Sequence, residues 1–264
     1  AGGDQAEAAF AAAVSAAGDV NGDGYGDVLV GAPFFDDGEA REGRAYLYLG
    51  SATGLAASLA WSAESDQPGA FLGNSVASAG DVNGDGFGDV IVGVSRFENG
   101  QTFEGAARVY LGSATGLAVS PAWTAEGDEP VTFFGNSVAS AGDVDGDGFD
   151  DVIVGAYVFS NDQAREGRAY VFLGSATGLS QNSAWFAEGD QTDSQFGNSV
   201  ATAGDVNGDG FSDVIVGAPY ISHPEGFEGR AHVYLGSATG LATSPAWTAE
   251  GNRSPALLGI SVAT

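Results

Sequence analysis

Asp19-Val20-Asn21-Gly22-Asp23-Gly24-Tyr25-Gly26-Asp27, running straight into Val28-Leu29-Val30-Gly31, is the stretch that decides the fold of this chain. Asp19, Asn21 and Asp23 offer side-chain oxygens at loop positions one, three and five. The carbonyl of Tyr25 falls at position seven, and Asp27 closes the set at position nine. That donor pattern suits a hard cation surrounded by six to eight oxygens at about 2.3–2.6 Å, which selects calcium over zinc or copper. The segment recurs three times, each copy 62 residues after the last: Asp81, Asn83, Asp85, Phe87 and Asp89; Asp143, Asp145, Asp147, Phe149 and Asp151; Asp205, Asn207, Asp209, Phe211 and Asp213. Four such loops predict about four Ca2+ per chain. Without a cation, the converging acids would repel one another and raise their own pKa values.

An EF-hand is excluded on two counts. It needs a bidentate Glu at position twelve and an exiting helix, whereas this chain has Val30, Val92, Val154 and Val216 there. The exits Asp27-Val28-Leu29-Val30-Gly31 and Asp89-Val90-Ile91-Val92-Gly93 are β-branched-rich runs ending in Gly, and they read as buried strands.

Composition agrees with a repeated all-β array. The chain has 264 residues, 43 Gly and 8 Pro, a mix suited to short strands joined by tight turns. No apolar run is long enough to span a bilayer. The net charge of −27, with Lys absent and all eight basic residues Arg, leaves no basic face for nucleic acid. Cys and Met are both zero, so cysteine usage assigns no redox compartment. Calcium loops of the weak class, with Kd about 10⁻⁴–10⁻³ M, fill only where calcium is millimolar, which points outside the cell or to its surface.

One unit, read from Phe134, runs F-G-N-S-V-A-S-A, the acidic loop, D-V-I-V-G-A, a variable stretch, E-G-R-A-Y-V-F-L-G-S-A-T-G-L and S-A-W-F-A-E-G-D. The tag L-G-S-A-T-G-L recurs from Leu49, Leu111, Leu173 and Leu235, and a Trp stands at 61, 123, 185 and 247. Four short strand-like segments repeated radially predict β-propeller blades, with the Trp residues packing between them. The fold class is therefore all-β, a propeller-type array of four four-stranded antiparallel blades, alone or within a larger or oligomeric assembly. The repeats span about 10–71, 72–133, 134–195 and 196–257, and 258–264 is a surplus first strand of a further blade.

Phe134-Gly135 and Phe196-Gly197 opening the unit, the D-x-[ND]-x-D-G-x-x-D loop, and Gly31-Ala32-Pro33 and Gly217-Ala218-Pro219 closing it resemble FG-GAP repeats. These build the β-propeller of integrin α subunits and many bacterial extracellular proteins. The resemblance covers essentially the whole chain. It implies calcium between strands one and two of each blade, on one face, and partner binding by loops on the opposite face. Gly93-Val94-Ser95 and Gly155-Ala156-Tyr157 depart from the closing motif, and Ala9-Phe10-Ala11 and Leu258-Gly259 depart from Phe-Gly. The family usually closes at seven blades, so four leave ring closure within one chain open.

The loops opposite the acidic ones, 33–42, 95–104, 157–166 and 219–228, vary from copy to copy. They carry Phe34, Phe35, Phe97, Tyr157, Phe159, Tyr220 and Phe227 as candidate partner-binding residues; capping of the blade cores is the equal alternative. No catalytic residues are expected. There is no thiol, His232 fills a slot held by Tyr46, Arg108 and Tyr170, and His223 has no matching constellation.

Three non-catalytic roles follow: an adhesion or interaction propeller, a lectin-like glycan binder, and a structural subunit polymerising through its terminal strand. The partner is an unidentified protein or glycan, with self-association expected through the chain ends. At the N-terminus, 9–16 match a first strand, although the Ala-rich composition and the Asp4/Glu7 pair also suit a helix start.

Overall fold

The second segment of every repeat is the reason the sheets form. Asp-Val-Leu/Ile-Val-Gly places apolar side chains on both faces, which suits a strand covered on both faces by packed neighbours. In the computed structural model, which describes residues 5, 7–222 and 226–263, these runs become β2 (Asp27–Ala32), β6 (Asp89–Val94), β10 (Asp151–Ala156) and β14 (Asp213–Ala218). Asp4, His223 and Thr264 lie outside the described residues.

Each repeat folds as one four-stranded antiparallel sheet in sequence order. The first blade is β1 (Ala13–Gly18), β2, β3 (Arg44–Tyr48) and β4 (Trp61–Glu64). The second is β5 (Leu72–Gly80), β6, β7 (Ala106–Tyr110) and β8 (Trp123–Glu126). The third is β9 (Ser137–Gly142), β10, β11 (Arg168–Phe172) and β12 (Trp185–Glu188), and the fourth is β13 (Ser199–Gly204), β14, β15 (Arg230–Tyr234) and β16 (Trp247–Glu250). The Ala-rich N-terminal stretch is therefore a strand from Ala13, paired with β2 in the register Ala13↔Gly31 and Val14↔Val30. Residues 258–263 carry a first-strand sequence but form no strand. Leu258 makes only an isolated parallel bridge to Gly229, because no second strand lies beside it to complete a ladder.

The first strands β1, β5, β9 and β13 adjoin one another in series. Their small residues allow the approach. A Cβ on Gly31, Gly93 or Gly155 would sit within 2.0 Å of the carbonyl oxygen of Gly73, Gly135 or Gly197 on the next blade, so only Gly fits. The core lies between blades rather than within them. Leu29, Leu47 and Trp61 of the first blade share one buried cluster with Val90, Val92, Tyr110 and Leu117 of the second. The same arrangement repeats between the second and third blades and between the third and fourth.

The Trp residues pack between blades. Trp61, Trp123 and Trp185 each donate their indole N–H to a carbonyl of the following blade, on Ala118, Ser180 and Ala242, at 2.9 Å. Each ring meets Tyr110, Phe172 or Tyr234 edge-on.

Candidate metal centres

Asp-x-Asn/Asp-x-Asp-Gly is built to fold on itself, because short Asp and Asn side chains accept backbone N–H bonds two or more residues ahead. In the first loop Asp19 accepts from Asp23 N–H at 3.1 Å and Gly24 N–H at 2.7 Å. Asn21 Oδ1 accepts from Asp23 N–H at 3.1 Å, and Asp23 Oδ1 accepts from Tyr25 N–H at 3.0 Å. The same pattern recurs around Asp81, Asp143 and Asp205. The acids therefore face inward while still holding lone pairs free for a cation.

The closing acids Asp27, Asp89, Asp151 and Asp213 are buried, at 1% exposure or less. Asp27 accepts from Val20 N–H at 2.9 Å and from Gly50 N–H at 2.8 Å. Asp89 pairs in the same way with Val82 and Gly112, Asp151 with Val144 and Gly174, and Asp213 with Val206 and Gly236. Gly50, Gly112, Gly174 and Gly236 belong to the L-G-S-A-T-G-L tag. That tag is thus the second wall of each loop, a role its sequence did not announce. Burial pushes Asp89 up to about 6 and Asp151 up to about 7, with neighbouring loop acids adding to the rise and the backbone N–H bonds opposing it.

These features fit a hard divalent cation. Carboxylate oxygens of Asp143, Asp145 and Asp151 lie within 4.8 Å of one another, and a buried carboxyl displaced toward neutrality is one that a positive charge would restore to its anion. Asp147 stands outside that trio, its Oδ1 accepting from Phe149 N–H at 3.0 Å. In the other three loops Asn replaces the central acid of the trio, so fewer carboxylates converge.

The residue at position seven does more than present a carbonyl. A Cβ on Gly22, Gly84 or Gly146 would lie 2.6–2.7 Å from the ring of Phe87, Phe149 or Phe211 in the following loop, so each aromatic seats on the preceding loop. Backbone bonds join the same loops: Gly88 N–H donates to Asp19 at 2.8 Å, Asp150 N–H to Asp81 at 3.1 Å, and Ser212 N–H to Asp143 at 2.8 Å. The loops form one connected row.

At the other end of the strands the variable loops separate into two groups. Phe35 and Phe159 are buried, with the guanidinium groups of Arg44 and Arg168 3.9 and 3.6 Å from their ring centres, and Phe97 packs on the first inter-blade core. These three cap the blades. Phe34 and Phe227 are exposed. Phe34 meets Phe71 edge-on, Tyr157 faces Phe133, and Tyr220 meets Phe227. Arg96 lies over Phe71, Phe103 and Phe133.

Outside the acidic loops, two carboxylates and His232 are tied into the blades. Glu42 and Glu166 are buried and accept from Asp37 and Asn161 N–H at 2.5 and 2.7 Å. His232 packs on the Phe196 ring and bonds Thr248 Oγ1 at 3.2 Å, and its pKa is lowered by burial.

A family model described as FG-GAP repeat matches residues 10–48, 72–110, 134–172 and 196–234. The chain is 36% identical to integrin alpha-4 of Xenopus laevis over 162 residues, 60% of this chain and 15% of that protein. It is 34% identical to integrin alpha-V of Gallus gallus over 189 residues, covering 69% and 17%, and 34% identical to integrin alpha-PS2 of Drosophila melanogaster over 192 residues, covering 66% and 12%. It therefore spans less than a fifth of the length of these relatives.

Proposed function

We propose that this chain, which belongs to the FG-GAP repeat family, is a non-catalytic interaction module of the extracellular space or cell surface that works with about four bound Ca2+. The observation that carries this reading is the difference between the two ends of the strands. One end holds four copies of one acidic loop, linked blade to blade. The other holds loops that differ in every copy and present the exposed Phe34 and Phe227 and the half-buried Tyr157 and Tyr220 among Arg and amide side chains. Uniform loops suit a structural task and variable ones suit recognition.

In each acidic loop the cation would be held by Asp19, Asn21, Asp23, the carbonyl of Tyr25 and Asp27, or their counterparts. Bound calcium supplies the positive charge that the buried closing Asp lacks. The chain's own contribution is to tie that Asp to the L-G-S-A-T-G-L tag and the first Asp to the next blade. Ordering one loop therefore firms the joint between two blades, and the recognition loops sit on a stiffer base. Weak sites of this kind, filled at millimolar calcium, suit the outside of the cell.

Metal analysis of the chain dialysed to equilibrium against millimolar calcium, read against the dialysis buffer, tests the reading. About four calcium ions per chain are expected, with a large rise in melting temperature over the chelated form. Superimposable melts with and without chelator would overturn it.

Glycan binding is a second reading with its own support. Clefts recur between neighbouring blades along their fourth strands. One of about 460 Å³ is lined by Glu188, Asp190, Phe196, His232 and Tyr234, and another of about 320 Å³ by Glu126, Asp128, Phe134, Tyr170 and Gln181. An aromatic wall facing carboxylates and amides suits a sugar ring. Array binding confined to one sugar class, and lost on Tyr170→Ala, would favour this reading over protein recognition.

A further inference from the structure

Four times the chain places Gly directly after Asn: Asn21-Gly22, Asn83-Gly84, Asn99-Gly100 and Asn207-Gly208. The pairing is chemically vulnerable. Gly has no Cβ to shield its backbone nitrogen or to restrict the rotation that brings that nitrogen to the Asn side chain. Three of the pairs fall at positions three and four of the acidic loops. The remaining loop has Asp145-Gly146 instead, so an acid is accommodated at that place. Asn99 lies in a variable loop at the other end of the strands and supplies an internal comparison.

Inside the loops each Asn is held through both ends of its amide. Asn21 Oδ1 accepts from Asp23 N–H at 3.1 Å, and Nδ2 donates to Asp23 Oδ2 at 3.0 Å. Asn83 and Asn207 are tied to Asp85 and Asp209 in the same way. Both bonds must break before the side chain can be attacked. A cation held by Asn21, Asp23 and Asp27 fixes the amide further, whereas without it the converging acids repel one another and loosen the loop. The loops differ at the attacking nitrogen. Gly84 and Gly208 N–H donate to Asp81 and Asp205 Oδ1 at 2.7 Å, bonds that must also break before the nitrogen can turn. In the first loop Asp19 accepts from Asp23 and Gly24, and Gly22 N–H makes no such bond. Gly22 is exposed as well.

We propose that Asn21 is a modification site guarded by calcium: once the first loop loses its cation, the Asn21 amide is lost to attack by its own backbone. The Gly22 nitrogen gives its proton to a base in the solvent and bonds to Asn21 Cγ. The Cγ–Nδ2 bond breaks, ammonia leaves, and a succinimide closes. Water then opens either C–N bond of that ring and leaves Asp or isoaspartate at position 21, so the net change is one water consumed and one ammonia released. The proposal rests on calcium filling the loops. The Asp product gives the first loop the acid set of the third. The isoaspartate product puts one more carbon into the backbone between 21 and 22, so Asp19 and Asp23 no longer face one ion, and the loss of calcium becomes permanent at that site.

The test is incubation of the 264-residue chain at pH 8, in millimolar calcium and in chelator. The temperature is kept below the chelated chain's melting midpoint, checked by circular dichroism. Bound calcium is measured in both arms, and peptide mapping by mass spectrometry scores each Asn-Gly pair. Asn99 should convert at nearly one rate in both arms. Asn21 should convert about tenfold faster in chelator than in calcium at ten times Kd, as the fraction of open loop dictates, and it should run ahead of Asn83. A chain aged in chelator and returned to calcium should bind about one ion fewer, while Asn21→Asp aged alike should keep its full complement. Asn21 still intact in chelator after Asn99 has converted would overturn the proposal, as would equal rates at Asn21 with its loop measured full and measured empty. No bound calcium in either arm would bring down the calcium reading itself, and the guard with it.

Discussion

Raising the pH of the calcium-free chain should destabilise it, and calcium should cancel the effect. The perturbation acts on Asp89 and Asp151, whose carboxyls burial moves from an ordinary 3.8 to about 6 and about 7. Between those limits the folded chain binds more protons than the unfolded one, so its stability falls as pH rises. The stabilisation is complete below about pH 4 and gone above about pH 7. At about 1.4 kcal/mol per pH unit, keeping Asp151 ionised in the fold costs about 4 kcal/mol and Asp89 about 3. Their sum, about 7 kcal/mol, is an upper bound of the same order as a domain's whole net stability of about 5–15 kcal/mol.

A bound cation reverses the preference by favouring both anions. A site filled to ten times its Kd adds about 1.4 kcal/mol, and one filled to a hundred times adds about 2.7. Circular-dichroism melts from pH 5 to pH 8, in chelator and in millimolar calcium, read the balance directly. The midpoint in chelator should drop as pH rises, the midpoint in calcium should hold or climb, and the gap should widen steadily. Asp151→Asn keeps a carbonyl acceptor for Val144 or Gly174 but cannot ionise, so its chelator profile should be flatter and its response to calcium smaller. A gap of equal size at pH 5 and pH 8 would refute the reasoning, as would a chelator midpoint that climbs with pH.

Two further outcomes are expected. Asp147→Ala should lower calcium stoichiometry by about one per chain while leaving the far loops around Tyr157 and Phe133 competent, as measured by metal analysis beside any partner-binding assay; loss of partner binding in a folded variant would move recognition to the calcium end. Trp123→Ala, which empties a buried joint and strands the Ser180 carbonyl, should cost about 3–5 kcal/mol in denaturant unfolding. Trp247→Ala, at an exposed indole of the 264-residue chain, should cost well under about 1 kcal/mol; equal costs would deny that the core lies between blades.

Legibility in the sequence followed how local each determinant is. The acidic loop is legible because its donors and its turn lie within nine consecutive residues, and the strand leaving it because Val28-Leu29-Val30 allows little else. The inter-blade place of Trp61 could be inferred from period and size. The tag was different. Gly50 meets Asp27 across 23 residues, and nothing in Gly-Ser-Ala-Thr-Gly names its partner. Phe34 and Phe35 show a second limit. They are neighbours in one irregular loop, without a period to assign faces, and only the fold decides that Phe35 packs with Ala8, Val30 and Tyr46 beneath Arg44 while Phe34 stays exposed.

Residues 258–263 show the third limit. Their match to β13 is a true statement about what they would do beside a second strand. A strand is a property of a pair, because its backbone N–H and C=O groups gain over water only when a ladder partner takes them. Val14 makes the same point from the other end of the chain: its equivalents Val76, Val138 and Val200 are buried by a preceding blade. Its own exposure records a missing neighbour, not a different residue. Identical side chains thus take opposite environments according to what adjoins them, and the ends of a repeat array are where sequence pattern and burial must part.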